Sequence, residues 1–234
     1  METKIRIAEF RYFIEQRLLN IELLKGDESV LFKKVLYVTF LDSLSASIYP
    51  KEENQKRFIK LLDNFSTWED KDRICPEQLL QKLEVYENSG YEDMASICKP
   101  LTERWMTTDN GLHIISSNEA PQFRDVLPIA SRCSFSEKEL RNYKFSPLLY
   151  SLRNALVHNL QDRFSEYGDR HPPEPFYYIV STFNENRRIT PDSLELVFPL
   201  TFLQNLCKEV LESTIQYFES NNLNPFPRYY ASKL

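Results

Sequence analysis

SPLLYSLRNALVHNL, residues 146–160, is the stretch from which the rest of the chain is best read. Pro147 supplies the preset φ of a first helical turn behind Ser146, and Leu149, Leu152, Leu156 and Leu160 recur at three-and-four spacing. The pattern predicts a helix over 147–160 with a leucine stripe turned toward a core. Ser151, Asn154, Ala155, His158 and Asp162 fall on the opposite side, with Asn154 and His158 one turn apart, where their side chains can meet. Arg153 lies at the boundary of the two faces, its stem along apolar surface and its guanidinium reaching out.

Outward from this helix, helical periodicity dominates. Residues 3–25 place Ile5, Phe10, Phe13, Ile14, Leu18, Ile21 and Leu24 at or near helical spacing up to Gly26. Asp27 offers an N-cap to a second helix that Pro50 stops, and so short a joint predicts an antiparallel αα-hairpin. Further helices are expected over 54–65, from Pro76 through Glu87, over 91–106, and from Ser136, where Glu139 completes a capping box. PFYYIVSTF (175–183) and SLELVF (193–198) flank the polar NENRRITPD and read as a β-hairpin. Pro199 then opens a long final helix. The expected fold class is mainly α: one helical domain over 1–234 with a β-hairpin at 175–198 before the last long helix, an irregular insert at 107–135 and an aromatic tail at 222–234.

Composition excludes several classes. The 234 residues include 4 glycines against 13 prolines, where average usage would make glycine about 7%. Gly26, Gly90, Gly111 and Gly168 stand apart, so neither a dinucleotide fingerprint nor a phosphate-cradling loop can be written from them. Cys75, Cys98, Cys133 and Cys207 are scattered without a C-x-x-C, which reads as reduced core thiols rather than a disulfide framework. The charged N-terminus lacks an apolar secretory core, and mean hydropathy is −0.46. A cytoplasmic protein without a membrane anchor is expected. Net charge is −5, against broad nonspecific nucleic-acid binding, although residues 121–170 carry eight basic against six acidic side chains.

Arg153, Asn154 and His158 form the set with chemistry in it. Imidazole exchanges protons near neutral pH, a guanidinium fork suits a phosphate and its developing charge, and an amide holds either group without titrating. Such a set suits RNA cleavage and calls for no metal or cofactor. The hexad Arg153-Asn154-Ala155-Leu156-Val157-His158 resembles the signature of HEPN-domain ribonucleases, an arginine, a polar residue directly after it and a histidine on a late helix of an all-α bundle. The resemblance extends over the first two helices and residues 136–221. It implies a HEPN-like bundle and metal-independent transesterification of RNA that leaves a 2′,3′-cyclic phosphate. It also implies a homodimer whose composite site takes Arg153 and His158 from both copies. The role implied is a toxin or an antiphage-defence effector, with an antitoxin or another defence protein as partner. The family also holds noncatalytic modules that bind a partner protein or a nucleotide, which is the alternative reading.

Other residues are weighed beside this set. The resemblance implies a polar residue that faces the motif helix from an earlier one, a place that Asp42 and Ser43 in FLDSLSASIYP suit, though helix polarity alone is the stronger explanation of both. His113 and His171 fall in loop-like or proline-rich context. Arg187 and Arg188 mark the hairpin tip. Phe226, Tyr229 and Tyr230 suit either base stacking or docking on the protein's own surface.

Overall fold

Ile7, Phe10, Ile14, Leu18 and Ile21 lie buried along one side of α1 (Glu2–Glu22), the three-and-four rhythm of a helix with a single wet face. This is a computed structural model that describes residues 2–85, 90–107, 114–162, 172–180 and 193–231. Gly26 follows α1 at φ +119°, a conformation that favours glycine, and its carbonyl accepts from Ser29 N–H at 3.0 Å to turn the chain into α2 (Ser29–Ile48). The N-cap of α2 is Glu28 rather than Asp27, and its side chain makes no cap bond.

The described residues gather into two compact units, the first holding Met1–Trp68, Leu149–Pro173 and Pro199–Leu234. In it α2 is the hub, packing against α3 (Asn54–Phe65), α9 (Leu200–Ser220), α10 (Pro225–Ala231) and α1. Its buried side chains, among them Tyr37, Val38, Leu41 and Leu44, reach round much of the helix, as a central position demands. Phe58, Leu61, Leu62 and Phe65 of α3 and Phe202 through Phe218 of α9 complete this core.

The expected C-terminal tail is a helix at its centre. Pro225 begins α10, and the Asn224 side chain accepts from Phe226 N–H at 3.1 Å, the usual helix-starting pairing of an Asn cap before a proline. The aromatic side chains dock on the protein itself: Phe226 and Tyr229 stand 5.6 and 5.5 Å from the ring of Phe10, edge to face.

The second unit comprises Glu69–Leu148 and Glu174–Phe198. The expected hairpin forms from β2 (Phe176–Val180) and β3 (Ser193–Val197), antiparallel with Phe176 opposite Val197. A third strand, β1 (Ile114–Ser116), pairs with β2 on its other side and puts Ile114 opposite Tyr178. The region expected to be irregular therefore carries β1 and α6 (Phe123–Arg132), whose Val126 and Ala130 one turn apart bury against Ile74, Leu79, Met94, Cys98 and Leu140. Phe123, Val126, Leu127 and Ala130 do recur at three-and-four spacing, but the helix is only ten residues long and carries Pro128 in its interior, a residue that reads as a helix breaker, which hid it. Around it stand α4 (Pro76–Val85), α5 (Glu92–Thr107) and α7 (Glu137–Arg141), the last started by Ser136, whose hydroxyl accepts from Glu139 N–H at 3.1 Å. All four cysteines are free; Cys75, Cys98 and Cys207 are buried and Cys133 is half-buried. No helix among the described residues is long and apolar enough to cross a membrane.

Candidate functional site

The motif helix is α8 (Phe145–Asn159). Leu149 and Leu156, two turns apart, are fully buried and fix its rotation, while Leu152 is half-buried. The stripe does not extend to Leu160, which is 55% exposed at φ +52°. Leu160 N–H donates to the Leu156 carbonyl and Gln161 N–H to Ala155, a left-handed closure that ends the helix one residue past His158. A leucine in that conformation costs about 1–2 kcal/mol, so a tertiary contact has to hold the closure.

Asp162 supplies that contact. Its Oδ2 lies 2.8 Å from Nζ of Lys34, whose side chain is 1% exposed. Asp162 thus turns toward α2 instead of continuing the wet face of α8. Eight residues along α2, Asp42 makes the reciprocal contact: Arg153 Nη2 donates to its Oδ2 at 2.7 Å. The helix α2 therefore holds the motif segment with an acid at one end and a base at the other, and a register shift would set like charges together.

Arg153 is consequently turned inward and not out toward solvent, with 12% of its side chain exposed. Its Nη1 donates to Asn154 Oδ1 at 3.0 Å and stands 3.4 Å from His158 Nε2. Asn154 and His158 are thus linked through the guanidinium and not to each other. The Tyr150 ring lies 5.9 Å beneath the Arg153 guanidinium, and Phe58 packs on that ring at 5.4 Å. A second arginine joins the cluster from α3: Arg57 Nη2 is 3.5 Å from Asp42 Oδ1. Two guanidiniums meet one carboxylate, so the cluster keeps an excess positive charge beside an exposed imidazole. The Nε–H groups of Arg57 and Arg153 are buried with no acceptor among the described residues, so neither guanidinium is fully satisfied within the fold.

Each of the three motif residues lies in this one cluster. Asp42 faces it and Ser43 does not, because the Ser43 hydroxyl donates to the Thr39 carbonyl at 2.9 Å along its own helix. His113, His171, Arg187 and Arg188 lie outside the described residues, and nothing of the side chain of Tyr230 is described. Lys34 and Arg57 escaped the sequence reading. Lys34 carried a signal, since it shares the phase of Val38, Leu41 and Ser45 on a face of α2 with no other charged residue. Arg57 carried none, because only packing of α3 brings it to Asp42. Among the described residues no group of three or more His, Cys, Asp or Glu side chains is placed to hold a metal ion. No family model, curated protein or solved structure matches the chain.

Proposed function

We propose that this chain is a metal-independent endoribonuclease of the HEPN type, acting as a toxin or antiphage-defence effector, with Arg153, Asn154 and His158 as its working residues. The observation that carries the reading is the Arg153 guanidinium held by Asp42 and placed between Asn154 and His158. In the reaction the RNA 2′-oxygen attacks the adjacent phosphorus, its proton passes to an imidazole, and the 5′-oxygen leaves with a proton from an acid. Arg153 balances the charge that grows on the phosphorane oxygens, aided by the long-range field of Arg57. Asn154 keeps the guanidinium in place without adding charge.

One His158 serves base and acid less well than two, so the composite site of a homodimer belongs to this proposal. Leu160, 55% exposed, lies just past His158, and Phe32 and Leu36, 48% and 40% exposed, form a second apolar strip on α2 in the phase of Ser43. Apolar side chains at a site rim suit a surface covered by a second copy.

A second reading has its own observation. Arg153 is mostly covered and spends two donors within the fold, as a structural clamp would. On that reading the chain is a noncatalytic helical module that binds a partner protein or a nucleotide. Incubation with RNA in a chelator, beside Arg153→Ala and His158→Ala, separates the two. The nuclease reading expects cleavage by the native chain and none by either variant; equal cleavage by all three, or none across diverse RNAs, overturns it.

A further inference from the structure

The second unit carries a groove between α4 and α5 with a volume of about 490 Å³, which the Arg153 cluster does not touch. Its floor is apolar: Leu80, Leu83 and Ala95 line it, continuous with the core below. Its rim carries four carboxylates, Glu77 and Glu84 from α4 and Glu92 and Glu103 from α5, against the single ammonium of Lys99. Lys99 stands 3.9 Å from Glu103 with both side chains largely exposed, which leaves the groove an excess of three negative charges.

The layout of the charge selects the ligand. Glu77 and Glu84 are about 10 Å apart along α4, and Glu92 and Glu103 about 16 Å apart along α5, at 1.5 Å of rise per residue. Carboxylates strung out in this way do not converge on one small cation, and no metal-holding group of such side chains occurs among the described residues. A volume of this size falls in the range of small-molecule sites, which pair apolar walls with a few polar groups. The matching guest is linear, carries several positive charges, and separates them with methylene spacers that cover a Leu and Ala floor. Burial holds the Glu77 carboxyl above its ordinary range, and a cation beside it would reverse that shift.

We propose that the groove between α4 and α5 binds an aliphatic polyamine, its spacers on Leu80, Leu83 and Ala95 and its ammonium groups at Glu77, Glu84, Glu92 and Glu103. The site is independent of the nuclease reading and stands or falls by itself. Isothermal titration of spermidine into the whole chain at physiological salt tests it. The expected result is saturable one-to-one binding that weakens at least tenfold in Glu84→Gln/Glu92→Gln, a pair of exposed side chains whose exchange spares the fold. Ala95→Lys, which ties an ammonium to the floor, is expected to abolish binding. Glu15→Gln/Glu219→Gln, which removes the same charge elsewhere, should leave it unchanged. Absence of saturable heat overturns the proposal. So does equal weakening by both double variants, or displacement of spermidine by magnesium at matched ionic strength, since either result reduces the site to net charge.

Discussion

Lys34 and Asp162 make an asymmetric pair, and the asymmetry predicts how each half behaves when the other is removed. Lys34 is the deeper partner, with 1% of its side chain exposed against 13% for Asp162. Asp162→Asn removes the carboxylate facing a fully buried ammonium, which costs about 3–5 kcal/mol. Lys34→Met removes the deeper charge and replaces its stem with an apolar chain of similar length in an apolar part of α2. Asp162, beyond the end of α8, needs little movement to reach water, so this change costs about 1–2 kcal/mol. The double variant is neutral at a mostly apolar site and returns to within about 1 kcal/mol of the native chain. The chain has two tryptophans, Trp68 in the first unit and Trp105 in the second. Urea unfolding in a Trp105→Phe background, followed by Trp68 fluorescence, therefore reads the unit that holds the pair. The reasoning fails if Lys34→Met costs more than Asp162→Asn, or if the double variant loses as much as the two single changes combined.

Four further expectations are simpler. Leu156→Ala, at a fully buried site, costs about 2–5 kcal/mol, whereas His158→Ala at an exposed one stays within about 0.5 kcal/mol by the same unfolding measurement. On the proposed ribonuclease reading, Asp42→Asn loosens the Arg153 guanidinium and lowers kcat by about a hundredfold with a small change in KM; an unchanged kcat removes Asp42 as a positioning residue. Burial pushes the thiols of Cys75 and Cys98 up to about 11 and about 12, and that of Cys207 well above its ordinary value. Near neutral pH a thiol reagent should thus label one cysteine, Cys133, in the native chain and four in denaturant. Because the unfolded thiols ionise first, near pH 8.5, these three buried thiols stabilise the fold below that pH and lose the contribution as pH rises toward 11–12. A chain whose stability is flat between pH 8.5 and 11 contradicts this sign.

Legibility followed the strength of the period. Residues 54–65 show their full helix because Phe58, Leu61, Leu62 and Phe65 recur on one face, and α3 spans that range. The hairpin was legible because FYYIV is an aromatic and β-branched run, SLELV places Leu, Glu and Leu in alternation before Val197, and a polar stretch separates the two. β1 was not, since three residues carry no alternation to read and its partner lies sixty residues away. Leu160 misled because periodicity cannot sense a left-handed closure, and that closure is set by Asp162 meeting Lys34 across the fold. At the site, local spacing was enough to group Arg153, Asn154 and His158. The direction of Arg153 was hidden, because a guanidinium drawn in by Asp42 and one reaching into water have the same sequence.

The central claim is that Arg153 and His158 cut RNA by internal transesterification, and the chemistry of the cut end tests it most directly. An end-labelled RNA incubated with the purified chain in a chelator should yield fragments ending in 2′,3′-cyclic phosphate, and His158→Ala, folded to the same stability, should yield none. Fragments ending in 3′-hydroxyl, or cyclic ends that persist unchanged in His158→Ala, would contradict the account.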